Sequence, residues 1–175
     1  RYRIPQIDLV IVDLYPFEET LKTETDNETI IEKIDIGGIS LIRAAAKNYN
    51  DVVIISGRDQ YPGLLAMLSE RKGYTSLDDR RHYAAVAFQT SSHYDTAIFR
   101  YFNREAGIQA FRESIDTSYP LRYGENPHQK GIFYGNPDLI FDKLHGKEIS
   151  YNNLLDLDAA LNLIDEFDST TFVII

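Results

Sequence analysis

The chain has 175 residues, which suits one ordinary domain or two small pieces, and its 43% hydrophobic content is enough for a packed core. A net charge of −9 argues against a nonspecific nucleic-acid surface, so an anionic ligand needs a local cationic pocket. The absence of cysteine excludes disulfide and thiolate chemistry and suits a reducing compartment, and no apolar run approaches membrane-spanning length.

In chain order, Leu9 to Val12 is a continuous apolar run and reads as a strand buried on both faces. The acidic and polar stretch from Glu18 to Thr29 reads as a solvated loop or helix entrance. A helix is predicted from Ile30 to Asn48, interrupted around Asp35 to Gly38, followed by a second buried strand from Val52 to Ile55. Strand, helix, strand is the layout of a parallel α/β unit. Tyr61 to Arg71, Leu77 to Thr90 and Ser92 to Phe102 read as helices, with Ser91 or Ser92 as the cap of the last. Gly107 to Tyr119 carries no core pattern and precedes Pro120, so the domain junction is placed near Ser114 to Ser118.

The second piece is mixed. Gly131 to Tyr134 and Leu139 to Phe141 are short strand candidates around an Asn136-Pro137 turn. Leu157, Leu161, Ile164 and Phe167 predict a helix over Leu154 to Phe167, with Asp156 and Asp158 in its first turn. Thr171 to Ile175 then reads as the beginning of another strand.

The most informative segment is Glu32-Lys33-Ile34-Asp35-Ile36-Gly37-Gly38, continuing into a helix that carries Arg43 and Lys47. The glycines leave room for a ligand near the backbone, and the helix they open presents unpaired N–H groups, a site for phosphate or another anion. Arg43 and Lys47 stand four residues apart and share a helix face. A structural reading accounts for the same residues: Asp35 caps the helix and Lys47 complements its negative end. Ser92, His93 and Asp95 are triad residue types, but their adjacency fits a helix start, and the four histidines lack zinc-type spacing. Ser56-Gly57-Arg58 after the second strand could contact phosphate, but such a run is more often only a turn.

That segment lies between Ile7-Asp8-Leu9-Val10-Ile11-Val12-Asp13-Leu14-Tyr15-Pro16-Phe17 and Leu121-Arg122-Tyr123-Gly124-Glu125-Asn126-Pro127-His128-Gln129. With Ser92-His93-Tyr94-Asp95 and the run from Leu144 to Asn153, these ordered blocks resemble, essentially end to end, the bifunctional AICAR transformylase/IMP cyclohydrolase family of purine biosynthesis. The resemblance implies a central fragment of α/β class. Residues 1–116 would be the C-terminal half of a methylglyoxal-synthase-like cyclohydrolase domain, and 117–175 the start of a cytidine-deaminase-like transformylase domain without zinc.

By the same resemblance, the parent formylates AICAR with 10-formyltetrahydrofolate as cosubstrate and cyclises formyl-AICAR to IMP with loss of water. Lys47 would be the acid/base or charge-stabilising lysine, and the Tyr15 hydroxyl would bond substrate or polarise the formyl group. Asp13, Asp35 and Ile36 would bind the nucleotide, although many relatives carry asparagine where this chain has Asp13. Arg122 and Tyr123 would hold AICAR, with Asn153 lining the same site. Alone, Tyr15-Pro16-Phe17 reads as a packed aromatic turn, and Arg122-Tyr123 as an ion pair beside an aromatic. The resemblance also implies a cytoplasmic homodimer and no metal, nucleic acid or membrane partner. Segments for the 5′-phosphate and the transformylase Lys-His pair would lie outside this chain, so the fragment alone would be inactive with no bound cofactor. The alternative is a noncatalytic nucleotide-binding α/β module.

Overall fold

The computed structural model describes residues 5–175, so the first four residues of the predicted 1–116 piece lie outside the description. Two compact units result, one running to Ser114 and the other from Ile115 to Ile175.

In the first unit, β1 (Leu9–Ile11) pairs in parallel with β2 (Val53–Ile55), in the register Leu9 to Val53 through Ile11 to Ile55. Between them come α1 (Phe17–Thr23), α2 (Asn27–Ile31) and α3 (Ile36–Lys47). α4 (Tyr61–Glu70) and α5 (Leu77–Ala106) follow β2. The unit is thus α/β with a small parallel sheet. Ile42, Ala45 and Ala46 of α3 and Ala84 and Ala87 of α5 pack on Ile54, joined by Val10 and Val12. The small alanines let the two helices approach closely over the strands. On the opposite face, Leu64, Met67 and Leu68 of α4 cover Val53 and Ile55.

β2 is buried throughout, as predicted, but β1 is not. Leu9 and Ile11 remain exposed because α4 packs on β2 alone, so only the Val10 side of β1 is covered. The acidic stretch read as a loop or helix entrance is mostly helix: buried Phe17 and Thr20 anchor α1, residues 24–26 form a short link, and Asp26 caps α2 by accepting the Thr29 N–H at 2.9 Å. The two helices predicted on either side of Ser91 are one 30-residue helix, α5. Ser91 and Ser92 cap nothing, for the buried Ser91 hydroxyl accepts a hydrogen bond from Arg43 at 2.8 Å and the helix runs on. α5 begins at a Ser76/Asp79 capping box and ends where Gly107 takes φ 63°, a conformation open to glycine.

In the second unit, β3 (Ser118–Pro120) and β4 (Ile132–Tyr134) pair antiparallel. The ladder is extended by Leu121 N–H donating to Gly131 O at 2.9 Å, and Arg122 N–H donates to Ile149 O at 2.8 Å. Asn126-Pro127 shapes a turn in which Gln129 N–H donates to Asn126 O at 2.9 Å. The predicted Leu139–Phe141 strand is instead a single 3-10 turn, Pro137–Leu139, whose Asp138 N–H donates to the Asn136 side chain at 3.1 Å. α6 (Tyr151–Ile164) starts three residues before the predicted Leu154, because Ser150 and Asn153 form a capping box there. Asp156 and Asp158 therefore fall beyond its first turn, and Phe167 beyond its end. Thr171 to Ile175 form no strand among the described residues.

Candidate functional site

In the first unit, polar groups gather beyond the carboxyl ends of β1 and β2, where open parallel sheets receive ligands. Asp13 lies two residues past the end of β1. Its Oδ2 accepts hydrogen bonds from the Tyr61 hydroxyl at 2.7 Å and Arg58 Nε at 3.0 Å, while its Oδ1 is buried without a hydrogen-bond partner. The Tyr61 hydrogen bond, more than the Arg58 charge, holds this carboxyl below the usual carboxylate range. Asp13 is therefore an acceptor only, which an asparagine would not be. The Ser56-Gly57-Arg58 turn thus carries Arg58 to Asp13, while Ser56 is buried and bonded to Thr90 at 3.0 Å.

Tyr15 is exposed, and the Lys33 ammonium lies 5.8 Å from its ring centre. Asp35 caps α3, its carboxylate accepting the Gly38 N–H at 2.6 Å. The break between α2 and α3 is stapled by Tyr94: its hydroxyl accepts the Asp35 N–H at 2.8 Å and donates to Lys33 O at 3.0 Å. Phe17 packs edge-on against Tyr94 and Tyr101, with centroids 6.1 and 5.9 Å apart. One aromatic cluster thereby positions both Tyr15, two residues before Phe17, and Asp35. Ile36, the first residue of α3, is 71% exposed, and the Ile36 and Gly37 N–H groups have no acceptor among the described residues.

Lys47 does not join this group. It ends the 12-residue α3, whose C-cap carbonyl Asn48 O accepts the Val52 N–H at 3.1 Å, beside the start of β2. At 1.5 Å of rise per residue it stands roughly 18 Å from Asp35. It is exposed and has no ion pair or hydrogen bond among the described residues, whereas Arg43, predicted to share its face, is tied to Ser91 and lies over the Phe88 ring.

The two glycines differ. A Cβ on Gly38 would meet Asp35 Oδ2 at 2.5 Å, so the cap itself needs glycine, but a Cβ on Gly37 would meet nothing within 4 Å. Gly37→Ala is accordingly expected to stabilise the chain by about 0.5–1 kcal/mol, as a glycine in a helix costs relative to alanine. Gly38→Ala would offset that gain by displacing the cap, worth about 1 kcal/mol. Thermal denaturation of the two variants checks this: a lower melting temperature for Gly37→Ala would contradict the open space at that position.

The second unit brings together Arg122, Tyr123 and Asn153. Arg122 Nη2 donates to the Tyr123 hydroxyl at 3.1 Å, with the guanidinium carbon 4.8 Å from the ring centre. Tyr123 O accepts the Tyr151 N–H at 3.1 Å, which sets α6 beside this pair. Ser150, fully buried, donates its hydroxyl proton to Asn153 Oδ1 at 3.0 Å. Ser150 first, then Arg122, draws the Tyr123 phenol below its ordinary range.

Sequence reasoning missed Lys33, Tyr61, Tyr94 and Ser150 as parts of these clusters. Only Ser150 left a local signal, the Ser-x-x-Asn spacing of a capping box. Tyr61 and Tyr94 reach partners 48 and 59 residues away, a separation without a local pattern.

A parallel β-α-β unit with polar groups at its strand ends, joined in sequence to a second mixed unit, defines an α/β protein. A family profile described as AICARFT/IMPCHase bienzyme matches residues 45–175, and the chain belongs to that family. It is 62% identical to a bifunctional purine biosynthesis protein PurH of Bacteroides thetaiotaomicron, over the whole of this chain and 34% of that protein. The corresponding protein of Persephonella marina is 44% identical, over 98% of this chain and 36% of its own length. The chain therefore spans about a third of the length of the curated relatives it matches. A crystal structure of ForH is similar over 57% of this chain and 52% of that one, at 30% identity and a TM-score of 0.49.

Proposed function

We propose that this chain is part of an enzyme that formylates AICAR with 10-formyltetrahydrofolate and closes formyl-AICAR to IMP. The observation that carries this is the 62% identity, without a gap in coverage of this chain, to a protein described as bifunctional in purine biosynthesis. On this reading residues 1–116 belong to a methylglyoxal-synthase-like cyclohydrolase domain and 117–175 to a cytidine-deaminase-like transformylase domain. The enzyme is a cytoplasmic homodimer acting on small nucleotides.

Ring closure joins the carboxamide nitrogen to the formyl carbon, the formyl oxygen gains negative charge, and water leaves. The exposed Tyr15 hydroxyl is suited to donate to that oxygen. At the start of α3 the Asp35 carboxylate already complements the helix dipole and repels a phosphate. The free N–H groups of Ile36 and Gly37 suit a base carbonyl better, which supports assigning Asp35 and Ile36 to the base. Asp13, an acceptor, would take an N–H from the substrate, but its Oδ2 is engaged by Tyr61 and Arg58 and its Oδ1 is buried, so the loop must shift to offer one. Lys47 serves as the proton-transfer or charge-stabilising lysine. Because α3 separates it from Asp35, the two act on one nucleotide either from its opposite ends or from two copies of the chain.

The test is to assay a full-length protein carrying this sequence for each step separately, beside Lys47→Ala. Wild type is expected to turn over both, and Lys47→Ala to lose cyclisation by roughly a hundredfold or more while keeping formyl transfer. Full cyclisation by Lys47→Ala would return Lys47 to a helix-terminal charge. A wild type that binds AICAR without turning it over would be a noncatalytic nucleotide-binding module.

A further inference from the structure

We infer that Tyr61 and Arg58 act in opposite senses on Asp13: Tyr61 positions the carboxylate to receive an N–H of the nucleotide, and Arg58 occupies the place on it that this N–H would take. The inference rests on the proposed role of Asp13 as an acceptor in the first unit's site. The three residues bridge the crevice beyond the strand ends, Asp13 standing past β1 and the two donors past β2.

Lone pairs decide what the carboxylate can still do. Oδ2 has two, and both are used, one by the Tyr61 hydroxyl at 2.7 Å and the other by Arg58 Nε at 3.0 Å. Oδ1 is buried and has no hydrogen-bond partner among the described residues, so the 28% of the side chain that solvent reaches lies elsewhere on it. A ligand arriving from solvent therefore meets Oδ2, and only after one of the two donors has left. Because Oδ1 has no donor of its own, the negative charge rests on the Oδ2 donors, and a donor that leaves has to be replaced. An N–H of the ligand is the replacement.

The two donors differ in how easily they leave. Tyr61 is the first residue of α4, and Leu64, three residues on, is buried against Val53 and Ile55 and holds that end of the helix on the sheet. The hydrogen bond to Asp13 pushes the Tyr61 phenol above its ordinary range, so Tyr61 keeps the proton it donates. Arg58 is the opposite case. Its side chain is 83% exposed, and nothing else among the described residues bonds its guanidinium. The turn that carries it is fixed at its base, where buried Ser56 donates its N–H to Gln60 Oε1 at 3.2 Å and its hydroxyl bonds Thr90 at 3.0 Å. The backbone can thus stay in place while the Arg58 side chain alone swings off Asp13. An exposed ion pair of this kind is weak, which makes Arg58 the displaceable donor.

The experiment compares Arg58→Ala and Tyr61→Phe with wild type in the full-length protein. It reads KM and kcat for cyclisation of formyl-AICAR, and the inhibition of that step by IMP, whose ring keeps one N–H of the carboxamide nitrogen. Circular dichroism and formyl transfer check that each variant is intact; both should fold, since Arg58 is exposed and phenylalanine keeps the Tyr61 ring. Expected for Arg58→Ala are a KM and an IMP inhibition constant about two- to fivefold lower, the range in which an exposed ion pair falls, without loss of kcat. Expected for Tyr61→Phe is about a tenfold rise in both constants, larger than the fall in kcat, as for a lost hydrogen bond to a charged group. Residues that merely supported the fold would move both variants in the same direction. Weaker or unchanged binding in Arg58→Ala would overturn the competition, and an unchanged KM in Tyr61→Phe would overturn the positioning role. A wild type that does not cyclise formyl-AICAR would remove the functional reading and this inference with it. An active wild type matched by both variants would remove the inference alone.

Discussion

Replacing Arg122 by alanine in the full-length protein is expected to lower kcat/KM for formyl transfer by roughly a hundredfold, about the loss of two charge-assisted hydrogen bonds, while cyclisation is kept. The residue is exposed and has no carboxylate partner among the described residues. Its contacts are with its neighbour: a hydrogen bond of 3.1 Å to the Tyr123 hydroxyl and stacking at 4.8 Å over that ring. That leaves most of the five guanidinium donors free, which is the state of an arginine available to an anionic ligand. Lysine would keep the charge but lose the fork, so Arg122→Lys should recover only part of the loss. Separate assays of the two steps read the result. Equal loss in both steps would mean that Arg122 supports the whole fold, and an unchanged formyl transfer would remove it from the proposed AICAR site.

The second large effect is structural. Phe17→Ala should destabilise the first unit by about 3–5 kcal/mol, as expected for a buried phenylalanine. The side chain is 1% exposed and meets Tyr94 and Tyr101 edge-on. Its loss opens a cavity among Ile30, Tyr94 and Ala97, the cluster that joins α1 and α2 to α5. In a chain of this length the melting temperature should fall on the order of 10 °C. Thermal denaturation followed by circular dichroism provides the check, and a shift of a degree or two would mean that the cluster relaxes to fill the space. On the proposed roles of Tyr15 and Asp35, cyclisation by the full-length protein should suffer even below the melting temperature, because the Tyr94 hydroxyl of the same cluster accepts the Asp35 N–H.

Much of the local structure was legible in the residues. The α3 cap needs only Asp35 and the Gly38 N–H three residues on, and β2 announces itself as an uninterrupted apolar run. Failures arose where a distant partner decided the outcome. Ser91 and Ser92 read as a helix start until Arg43, 48 residues earlier in the chain, satisfies the Ser91 hydroxyl and α5 passes through unbroken. Leu9 and Ile11 have a buried strand's composition, but the side of the sheet that α4 covers ends at β2. Acidic residues after Phe17 left loop and helix entrance undivided, because α1 is anchored by only Phe17 and Thr20 and not by a repeating stripe.

The same division applies to function. Ordered sequence blocks by themselves determined the family, because identity over many positions accumulates whatever the fold does with each residue. They also named Arg122, Tyr123 and Asn153 without indicating what links them. Tertiary structure alone decided that the Tyr151 N–H, bonded to Tyr123 O, joins their two segments, that Tyr61 and Arg58 hold Asp13, and that Lys47 stands a helix length from Asp35. The reason is range: capping and helix spacing act between residues three or four apart, whereas a site is assembled by packing and hydrogen bonds between segments dozens of residues apart.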